Sequence, residues 1–206
     1  MYVKKVLGND SGSVIVMSTK GEIRCCVSSP SFDANLFTYG ISNFEFKKYL
    51  KNEKKPLSNK SLSSLYPPGS TLKMLVAISA LENNIVNKNF KIRCTESTEY
   101  FGQKYHCWKE KGHGVVNMKK AIKESCDIYF YEVARLLGVD RLNITAEKFG
   151  LGKKVLGDYF DIEKKGLFPN TKWKKNNLGK GWVLGETLIT GIGQGYTQTT
   201  PLQLCM

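Results

Sequence analysis

The segment from Tyr66 to Lys73, YPPGSTLK, most constrains how this chain can fold. Proline fixes φ at about −65° and glycine tolerates a reversal of direction, so two prolines and a glycine predict a rigid turn. The apolar run that follows predicts a helix over residues 70–81. Ser70 would then lie in the first turn with Lys73 one turn further on, so their side chains would be neighbours.

A serine and a lysine in this arrangement can act as nucleophile and base. A serine hydroxyl is a poor nucleophile until a base removes its proton, and a lysine amine can do so only in its uncharged form. Backbone N–H groups at the helix start could also stabilise an oxyanion near Ser70. The pattern alone is weak evidence, because 15 serines and 27 lysines in 206 residues give about two Ser-x-x-Lys matches by chance.

A second hydroxyl motif strengthens the interpretation. Ser125-Cys126-Asp127 lies between a helix expected after Asn117 and another expected from Ile128 to Leu137. A serine in such a turn can relay a proton to or from a neighbouring nucleophile. The alternative is that Ser125 simply caps the helix that follows it.

The remaining elements follow from periodicity, caps and turn residues. Strands are predicted at residues 13–17 and 22–27, joined as a hairpin by Ser18-Thr19-Lys20-Gly21. Helices are predicted at residues 43–50, 70–81, 118–124, 128–137 and 140–149, and a last one opens at Thr200-Pro201. Residues 89–114 and 152–181 lack a regular pattern, and residues 191–195 form a Gly-rich bend.

The formal net charge of +13 at pH 7 does not indicate a nucleic-acid-binding protein. Of 31 basic residues 27 are lysine, whereas recognition of phosphates and base edges relies on the planar guanidinium of arginine. The lysines are scattered in pairs such as Lys54-Lys55 and Lys164-Lys165, as expected of a solvated surface. We therefore expect no nucleic-acid partner.

The length of the chain suits one domain with a core, or a fragment of a larger one. A chain of 206 residues with 41% hydrophobic and 11% aromatic residues can bury a core. No run approaches the roughly 20 apolar residues of a membrane span, and residues 1–12 lack the apolar core of a signal peptide. Taken alone, the chain is expected to stay in the cytosol.

Three cysteines and a histidine surround the irregular segment 89–114. Cys94, Cys107, His113 and Cys126 are spaced by 13, 6 and 13 residues. They could be buried free thiols beside a satisfied histidine, they could include a Cys94–Cys107 disulfide, or they could form a closed Cys3His zinc site. A metal could order a segment that lacks a regular pattern, and the glycines on both sides of His113 allow close backbone approach. No role is assigned to the other cysteines, Cys25, Cys26 and Cys205.

Several motifs occur in the order found in class B penicillin-binding proteins, and the chain resembles the elongation-type subgroup of that family. The motifs are Tyr66–Lys73, Gly112-His113-Gly114, Ser125–Tyr131 and Gly191–Gly195, with Ser31–Asn35 and Pro169–Lys174 resembling flanking segments. The resemblance runs from about Gly12 to Met206. It implies an α+β fold of the β-lactamase/transpeptidase type, in which helices flank an antiparallel sheet.

The resemblance implies a peptidoglycan D,D-transpeptidase that works through a serine acyl-enzyme and is acylated by β-lactams. Carried over by motif, Ser70 is the acylated nucleophile and Lys73 its general base. Ser125 relays protons to or from the leaving group, and Asp127 stands where many relatives have asparagine. Some members of the subgroup hold zinc at positions matching the Cys3His set, which favours structural zinc here and would fix Ser125 and Asp127 through Cys126.

One motif of the family is absent from these 206 residues. Its members carry Lys-Thr-Gly or Lys-Ser-Gly on a strand that binds the substrate carboxylate and helps complete the oxyanion hole. Thr19-Lys20-Gly21 has the wrong order and place. We therefore expect residues 1–206 to be a partial transpeptidase domain that lacks the C-terminal strands and is inactive or poorly folded alone.

The resemblance also implies partners and a compartment. Peptidoglycan stem peptides and β-lactams are the expected ligands, with a glycosyltransferase or elongation complex bound through regions outside this chain. The full-length protein is expected in the inner membrane with a periplasmic domain that serves cell-wall elongation and cell shape. No organic cofactor is implied.

Two other functions share some of these features. A serine β-lactamase uses the same nucleophile chemistry, although the Gly-rich and aromatic segments resemble the synthetic enzymes more closely. A non-catalytic remnant or a zinc-stabilised binding module would keep the shape without the chemistry. Acylation of Ser70 by a penicillin separates the enzyme from the remnant, and rapid deacylation would favour a β-lactamase.

Overall fold

The chain passes back and forth between two structural units in the computed structural model, which describes residues 2–206. The first unit comprises residues 2–66, 153–166 and 199–206, and the second comprises residues 67–152 and 167–198. No helix in the described range is both long and apolar enough to span a bilayer.

The short antiparallel strands occur in two groups along the chain, separated by runs of helices. The strands are β1 Gly12–Met17, β2 Ile23–Ser29, β3 Lys91–Cys94, β4 Ser97–Tyr100, β5 Gln103–His106 and β6 Gly114–Asn117. The helices are α1 Tyr2–Leu7, α2 Asn35–Thr38, α3 Asn43–Lys51, α4 Lys60–Ser63, α5 Lys73–Glu82, α6 Met118–Lys123, α7 Asp127–Leu137, α8 Val139–Lys148, α9 Thr171–Leu178, α10 Leu184–Gly191 and α11 Pro201–Cys205, with 3-10 turns at Gly69–Leu72 and Gly157–Tyr159.

The first unit is built on the hairpin of β1 and β2, which confirms the predicted pair of strands. The two strands run antiparallel with Gly12 opposite Ser29 and Ile15 opposite Cys26. Helix α11 packs on β1, and its start is the predicted one. Thr200 caps it by accepting a hydrogen bond from the N–H of Gln203, and Pro201 occupies the first turn, where its missing N–H costs nothing.

The second unit contains the hydrophobic core, which is centred on α7. Tyr129, Phe130, Val133 and Leu137 of this helix are essentially inaccessible to solvent, and α7 packs against α5 and α10. Burying each such side chain contributes about 1.5–3 kcal/mol. The helix ends at Gly138, whose φ of +81° is a left-handed conformation suited to glycine. The core therefore holds in place the helix that begins at the last residue of the Ser125-Cys126-Asp127 motif.

Two small sheets lie in the segment for which the sequence predicts no regular structure. β3 pairs with β6, which places Cys94 opposite Gly114, and β4 pairs with the adjacent β5. Each strand is only four residues long, too short to show a clear alternating pattern. The pairing of β3 with β6 brings Cys94 beside His113.

Several helices differ from the predictions, since α1, α2, α4, α9 and α10 lie where no helix is predicted and α5 begins later than expected. The helix expected over residues 70–81 begins as a 3-10 turn, and the α-helix itself starts at Lys73. The basic segment predicted as loop contains α9, which Asn170 caps through a hydrogen bond from the N–H of Trp173. Gly179 ends this helix with a φ of +65°. The sequence does not reveal this helix because its residues are mostly polar, and its caps and tertiary packing determine where it forms.

Candidate active site

Ser70 lies in the 3-10 turn that leads directly into α5. Gly69 has a φ of +62°, which a residue without a Cβ adopts at no steric cost. Its N–H donates to the carbonyl of Gly193 at 2.8 Å, and a Cβ on Gly193 would collide with the backbone of Gly69. The turn that presents Ser70 is therefore held against the Gly-rich bend at residues 191–195.

Lys73 is buried at the start of α5, with 2% of its surface exposed. Its Nζ donates to Oδ1 of Asp127 at 2.6 Å. It also donates to Oγ and to the backbone carbonyl of Ser125, both at 3.0 Å. The carboxylate and these two oxygens offset the cost of removing the amine from water.

Lys73 is connected to Ser70 through Ser125. The hydroxyl oxygen of Ser125 lies 3.0 Å from Nζ of Lys73 and 3.2 Å from Oγ of Ser70. Within residues 2–206, no hydrogen bond joins Lys73 to Ser70 directly. Because a hydroxyl can donate one hydrogen bond while it accepts others, Ser125 can pass a proton in either direction. The sequence predicts that Ser70 and Lys73 are neighbours, and the structure places a second serine between their functional groups.

Ser125 has an unusual backbone conformation between α6 and α7. Its φ is +52°, which costs an L-residue about 1–2 kcal/mol. The residue at the N-cap of α7 is Cys126, so the alternative role of Ser125 as a helix cap does not apply. Strain of this kind is concentrated at sites where a turn must aim a functional group.

These side chains open onto a cleft of about 530 Å³. It is lined by Ser70, His106, Cys107, Trp108, Ser125, Asp127, Tyr131, Ile192 and Gln194. The structure thus brings Ser70, Ser125 and Asp127 to one cleft, with Lys73 buried behind them. No sequence pattern identifies Trp108 as a site residue, whereas Tyr131 and Gln194 at least fall within recognisable motifs.

Tyr131 is the other titratable group that borders the cleft from α7. Burial raises the pKa of Tyr131 above its ordinary value, and the negative charge of Asp127 adds to this shift. Its hydroxyl donates to the carbonyl of His106 at 3.4 Å. Tyr131 therefore stays protonated at neutral pH and does not serve as the base for Ser70.

Cys94, Cys107, His113 and Cys126 converge in one buried group, here called the Cys3His cluster. Their donor atoms all lie within 4.8 Å of one another. Nδ1 of His113 is 3.5 Å from Sγ of Cys94 and 3.4 Å from Sγ of Cys107. All of these thiols are free, so the alternative of a Cys94–Cys107 disulfide is not what the structure contains.

The chemistry of the Cys3His cluster fits a metal ion. Donor atoms of a tetrahedral sulfur and nitrogen site are separated by about 3.5–3.8 Å, close to the distances around Nδ1 of His113. Burial raises the pKa of the Cys94 and Cys126 thiols, so without a cation they remain uncharged. Nε2 of His113 is buried with no hydrogen-bond partner in the part of the chain that the structure describes. The cluster could therefore hold a metal ion through Nδ1 and three sulfurs.

Gly112 allows His113 to approach this cluster. Its φ is +67°, and a Cβ at this position would collide with the carbonyl of Cys94 and the backbone of Thr95. The carbonyl of His113 accepts a hydrogen bond from Nζ of Lys120 at 3.0 Å. Gly112 thus has the steric role that the sequence predicts, whereas Gly114 has open space around it and does not.

The family model named "Penicillin binding protein transpeptidase domain" matches residues 12–206. The chain belongs to this family. Peptidoglycan D,D-transpeptidase MrdA of Acinetobacter baumannii is 40% identical to this transpeptidase domain over 206 residues, 97% of the chain and 30% of that protein. The chain spans about a third of the length of the curated relatives it matches.

Solved penicillin-binding protein structures share the fold of this transpeptidase domain. Pseudomonas aeruginosa PBP2 in complex with WCK 5153 has a TM-score of 0.91 at 37% identity, covering 98% of this chain and 46% of that one. Helicobacter pylori PBP2 in its complex with MreC has a TM-score of 0.93 at 37% identity, covering 98% of this chain and 38% of that one. The family and the β-lactamase/transpeptidase-like α+β fold predicted from the sequence are confirmed.

Proposed function

We propose that this transpeptidase domain carries the serine acyl-transfer centre of an elongation-type peptidoglycan D,D-transpeptidase. One observation carries the proposal: the Ser125 hydroxyl lies within hydrogen-bond distance of both Oγ of Ser70 and Nζ of Lys73. That arrangement links a nucleophile to a base through a proton relay. Relatives at 36–40% identity are named for this activity, which supports the assignment.

The first step forms an ester on Ser70. For this step Nζ of Lys73 must first release the proton that it carries in the ion pair with Asp127, which leaves the amine. Oγ of Ser70 then attacks the carbonyl carbon of the scissile peptide bond in a stem peptide, and its proton passes through Ser125 to that amine. Asp127, 2.6 Å away, stabilises the ammonium that forms. The peptide C–N bond then breaks, and the departing amine receives the proton through the same hydroxyl.

The second step transfers the acyl group to an amine of another stem peptide. That amine attacks the ester carbonyl and loses a proton to the relay, and the oxygen of Ser70 regains a proton as the new peptide bond forms. A β-lactam completes only the first step, because its ring C–N bond opens without a fragment leaving the site. The oxyanion would be stabilised by backbone N–H groups of the Ser70 turn and by a Lys-Thr-Gly strand that these residues do not include.

We infer that zinc is the ion suited to the Cys3His cluster. Three thiolates and one imidazole are typical zinc ligands, and four protein ligands leave no open position for substrate. When bound there, the ion would supply structural order only. Cys126 lies between Ser125 and Asp127 in the chain, so its fixed sulfur would help to hold both neighbours in place.

The partners and compartment of the whole protein are part of the proposal. Stem peptides and β-lactams are the proposed ligands, in keeping with the peptidoglycan named for the MrdA relatives and the penicillin named by the family model. PBP2 of Helicobacter pylori is found in complex with MreC, which supports an elongation-complex partner for the full-length protein. We place that protein in the inner membrane with this domain in the periplasm. That residues 1–206 form only part of the domain stays a prediction.

Acylation by a fluorescent penicillin tests the acyl-transfer centre. The full-length protein, including its Lys-Thr-Gly strand, is incubated with the drug. The modified residue is then identified by mass spectrometry. We expect one adduct at Ser70 with the mass of the intact drug. Ser70→Ala should abolish labelling, while Ser11→Ala, at an exposed serine in front of β1, should label like wild type.

Two results would favour the other functions. A folded wild-type protein that is not labelled at Ser70 would indicate a non-catalytic remnant. Labelling followed by release of hydrolysed drug within seconds would indicate a β-lactamase. Elemental analysis of the same preparation should give about one zinc per chain, and its absence would remove the proposed metal from the site.

A further inference from the structure

Trp108 makes three hydrogen bonds to the segment that carries the second hydroxyl motif. Its backbone N–H donates to Oδ2 of Asp127 at 3.0 Å. Its indole Nε1–H lies 3.1 Å from the carbonyl of Glu124 and 3.0 Å from that of Ser125. The side chain is nevertheless mostly open to solvent, with Trp108 64% exposed. Apolar burial therefore does not account for its position, since the ring gives up little surface to the core.

The backbone carbonyl of Ser125 is a shared hydrogen-bond acceptor for Trp108 and for Lys73, the proposed base. This oxygen accepts hydrogen bonds from Nζ of Lys73 and from Nε1 of Trp108, both at 3.0 Å. It belongs to a residue whose φ of +52° is strained. Two donors on one carbonyl stabilise a backbone conformation that local sterics disfavour, and that conformation directs the Ser125 hydroxyl toward Ser70.

The two carboxylate oxygens of Asp127 accept hydrogen bonds from Lys73 and Trp108, one from each. Oδ1 accepts from Nζ of Lys73 at 2.6 Å, and Oδ2 accepts from the backbone N–H of Trp108 at 3.0 Å. A carboxylate held at both oxygens cannot rotate away from the amine without losing a hydrogen bond. Trp108 thus fixes the orientation of the group that stabilises charge on Lys73.

Trp108 is itself held by its neighbours in the Cys3His cluster. It follows Cys107 in the chain, and its ring packs edge-on against His113 with centroids 5.5 Å apart. Contacts with the Cys3His cluster therefore hold the indole in place, and its N–H in turn holds the Ser125 turn that borders the cleft. No pattern in the sequence reveals this, because the carbonyls that Trp108 contacts are 16 and 17 residues away.

We propose that Trp108 is a positioning residue for acyl transfer, in which its indole N–H holds the Ser125 turn in the geometry that relays the proton. This inference rests on the proposed function of Ser70 and Lys73. It predicts that loss of the N–H slows acylation without weakening the non-covalent binding of the drug. The aromatic ring can stay in place while only the donor is removed.

Trp108→Phe in the full-length protein tests the proposal, with Trp182→Phe as the matched control. Trp182 also donates its indole N–H to one acceptor, Oγ1 of Thr187 at 2.8 Å, but touches none of the catalytic candidates. Stopped-flow measurements with a chromogenic β-lactam separate the acylation rate constant from the dissociation constant of the initial complex. We expect Trp108→Phe to lower the rate constant by about 10- to 100-fold with the dissociation constant within twofold. Trp182→Phe should change both by less than twofold.

A second substitution separates the N–H from the shape of the ring. Replacing Trp108 with 3-benzothienylalanine puts sulfur where Nε1–H stands and keeps a bicyclic ring. The rate constant should fall as far as it does in Trp108→Phe. Full activity of this variant, or a Trp108→Phe effect confined to the dissociation constant, would overturn the positioning role and assign the ring to substrate contact.

Hydrogen–deuterium exchange tests the positioning role of Trp108 independently of whether Ser70 is acylated. Hydrogen–deuterium exchange of the peptide containing residues 121–127 should be faster in Trp108→Phe than in wild type and unchanged in Trp182→Phe. Unchanged exchange in Trp108→Phe would overturn the inference. Absence of acylation in the wild type contradicts the proposed function alone, so the two failures are distinguishable.

Discussion

Nζ of Lys73 and Oδ1 of Asp127 are 2.6 Å apart, and only 3% and 13% of their side chains are exposed. Two opposite charges that are withdrawn from water depend on each other, because either one alone would lack compensation for its lost hydration. The pair lies directly behind the two serine hydroxyls. Its integrity therefore affects both the stability of the domain and the chemistry proposed for it.

Replacing Asp127 should destabilise the protein in a graded way. Asp127→Ala leaves the buried amine without its carboxylate, and we expect the free energy of unfolding to fall by about 3–5 kcal/mol. Asp127→Asn keeps an acceptor for Nζ of Lys73 and should cost about 1–3 kcal/mol. Urea unfolding measures both, with Asp161→Ala as the control at an exposed carboxylate. Equal stability of Asp127→Ala and wild type would show that the pair makes no net contribution.

The contact between Gly69 and Gly193 should tolerate no side chain. Gly193→Ala combines a φ of +75° with a collision against the Gly69 backbone, so we expect a loss of about 1–3 kcal/mol and slower acylation of Ser70. Gly181→Ala is the control, because this residue has open space around it and no left-handed φ. Thermal unfolding and penicillin labelling report the two effects. Labelling at the wild-type rate would mean that the bend does not position the nucleophile.

Loss of one ligand should remove the metal and the order that it provides. Cys107→Ser is expected to lose the proposed zinc and to lower the melting temperature by several degrees, since binding free energy of a structural site is also folding free energy. Cys26→Ser, at an exposed thiol of β2, should change neither. Elemental analysis and calorimetry measure the pair. Loss of zinc with an unchanged melting temperature would remove the structural role.

The ion pair between Glu132 and Arg135 should make stability sensitive to acid. Hydrogen bonds from Arg135 hold the pKa of Glu132 below its ordinary value, against the opposing effect of burial, and the hydroxyl of Tyr100 donates a further bond at 2.6 Å. A lowered pKa in the folded state means that the stabilisation is present above the ordinary pKa of about 4.3 and is lost as the pH falls through the lower folded value.

Glu132→Gln should therefore lose less stability than wild type when the pH is lowered below about 5. The comparison is made by urea unfolding at pH 7 and at several acidic values. Glu110→Gln, at an exposed carboxylate, should follow the wild-type curve. A wild-type slope in Glu132→Gln would show that this pair does not contribute to the acid sensitivity.

Elements with strong local patterns could be predicted from the sequence alone. The β1–β2 hairpin follows from two β-branched runs around a turn, and α7 follows from a dense apolar run that Gly138 ends. The caps at Asn117 and Thr200 were equally readable, because a capping side chain acts within three residues of its own position.

Structure that depends on distant partners could not be predicted in this way. β3 and β6 are four residues each and pair across the loop that contains β4 and β5, so their stability comes from partners far along the chain. Helix α9 carries many lysines and asparagines, and its caps matter more than any apolar face. In both cases tertiary packing overrides weak local preference.

In the candidate site, too, the residues could be predicted from local motifs, whereas their contacts could not. The motifs identify Ser70, Lys73, Ser125 and Asp127 as residues that could act together, and the structure brings them within hydrogen-bonding distance of one another as a chain. The sequence does not predict which of these side chains contact each other. Spacing along a helix places Lys73 beside Ser70, but it does not show that Ser125 lies between their polar atoms. The assigned catalytic roles stay predictions until acylation is measured.

Cys126 is fully enclosed and does not border the cleft, yet the residues on either side of it in the sequence both do. A single peptide bond joins Cys126 to each of these neighbours, so the proposed ligand is connected directly to both. We therefore expect a small chelator that captures the proposed ion to slow the proposed acyl transfer without competing with substrate. Such inhibition would also persist in variants whose cleft had changed to exclude β-lactams.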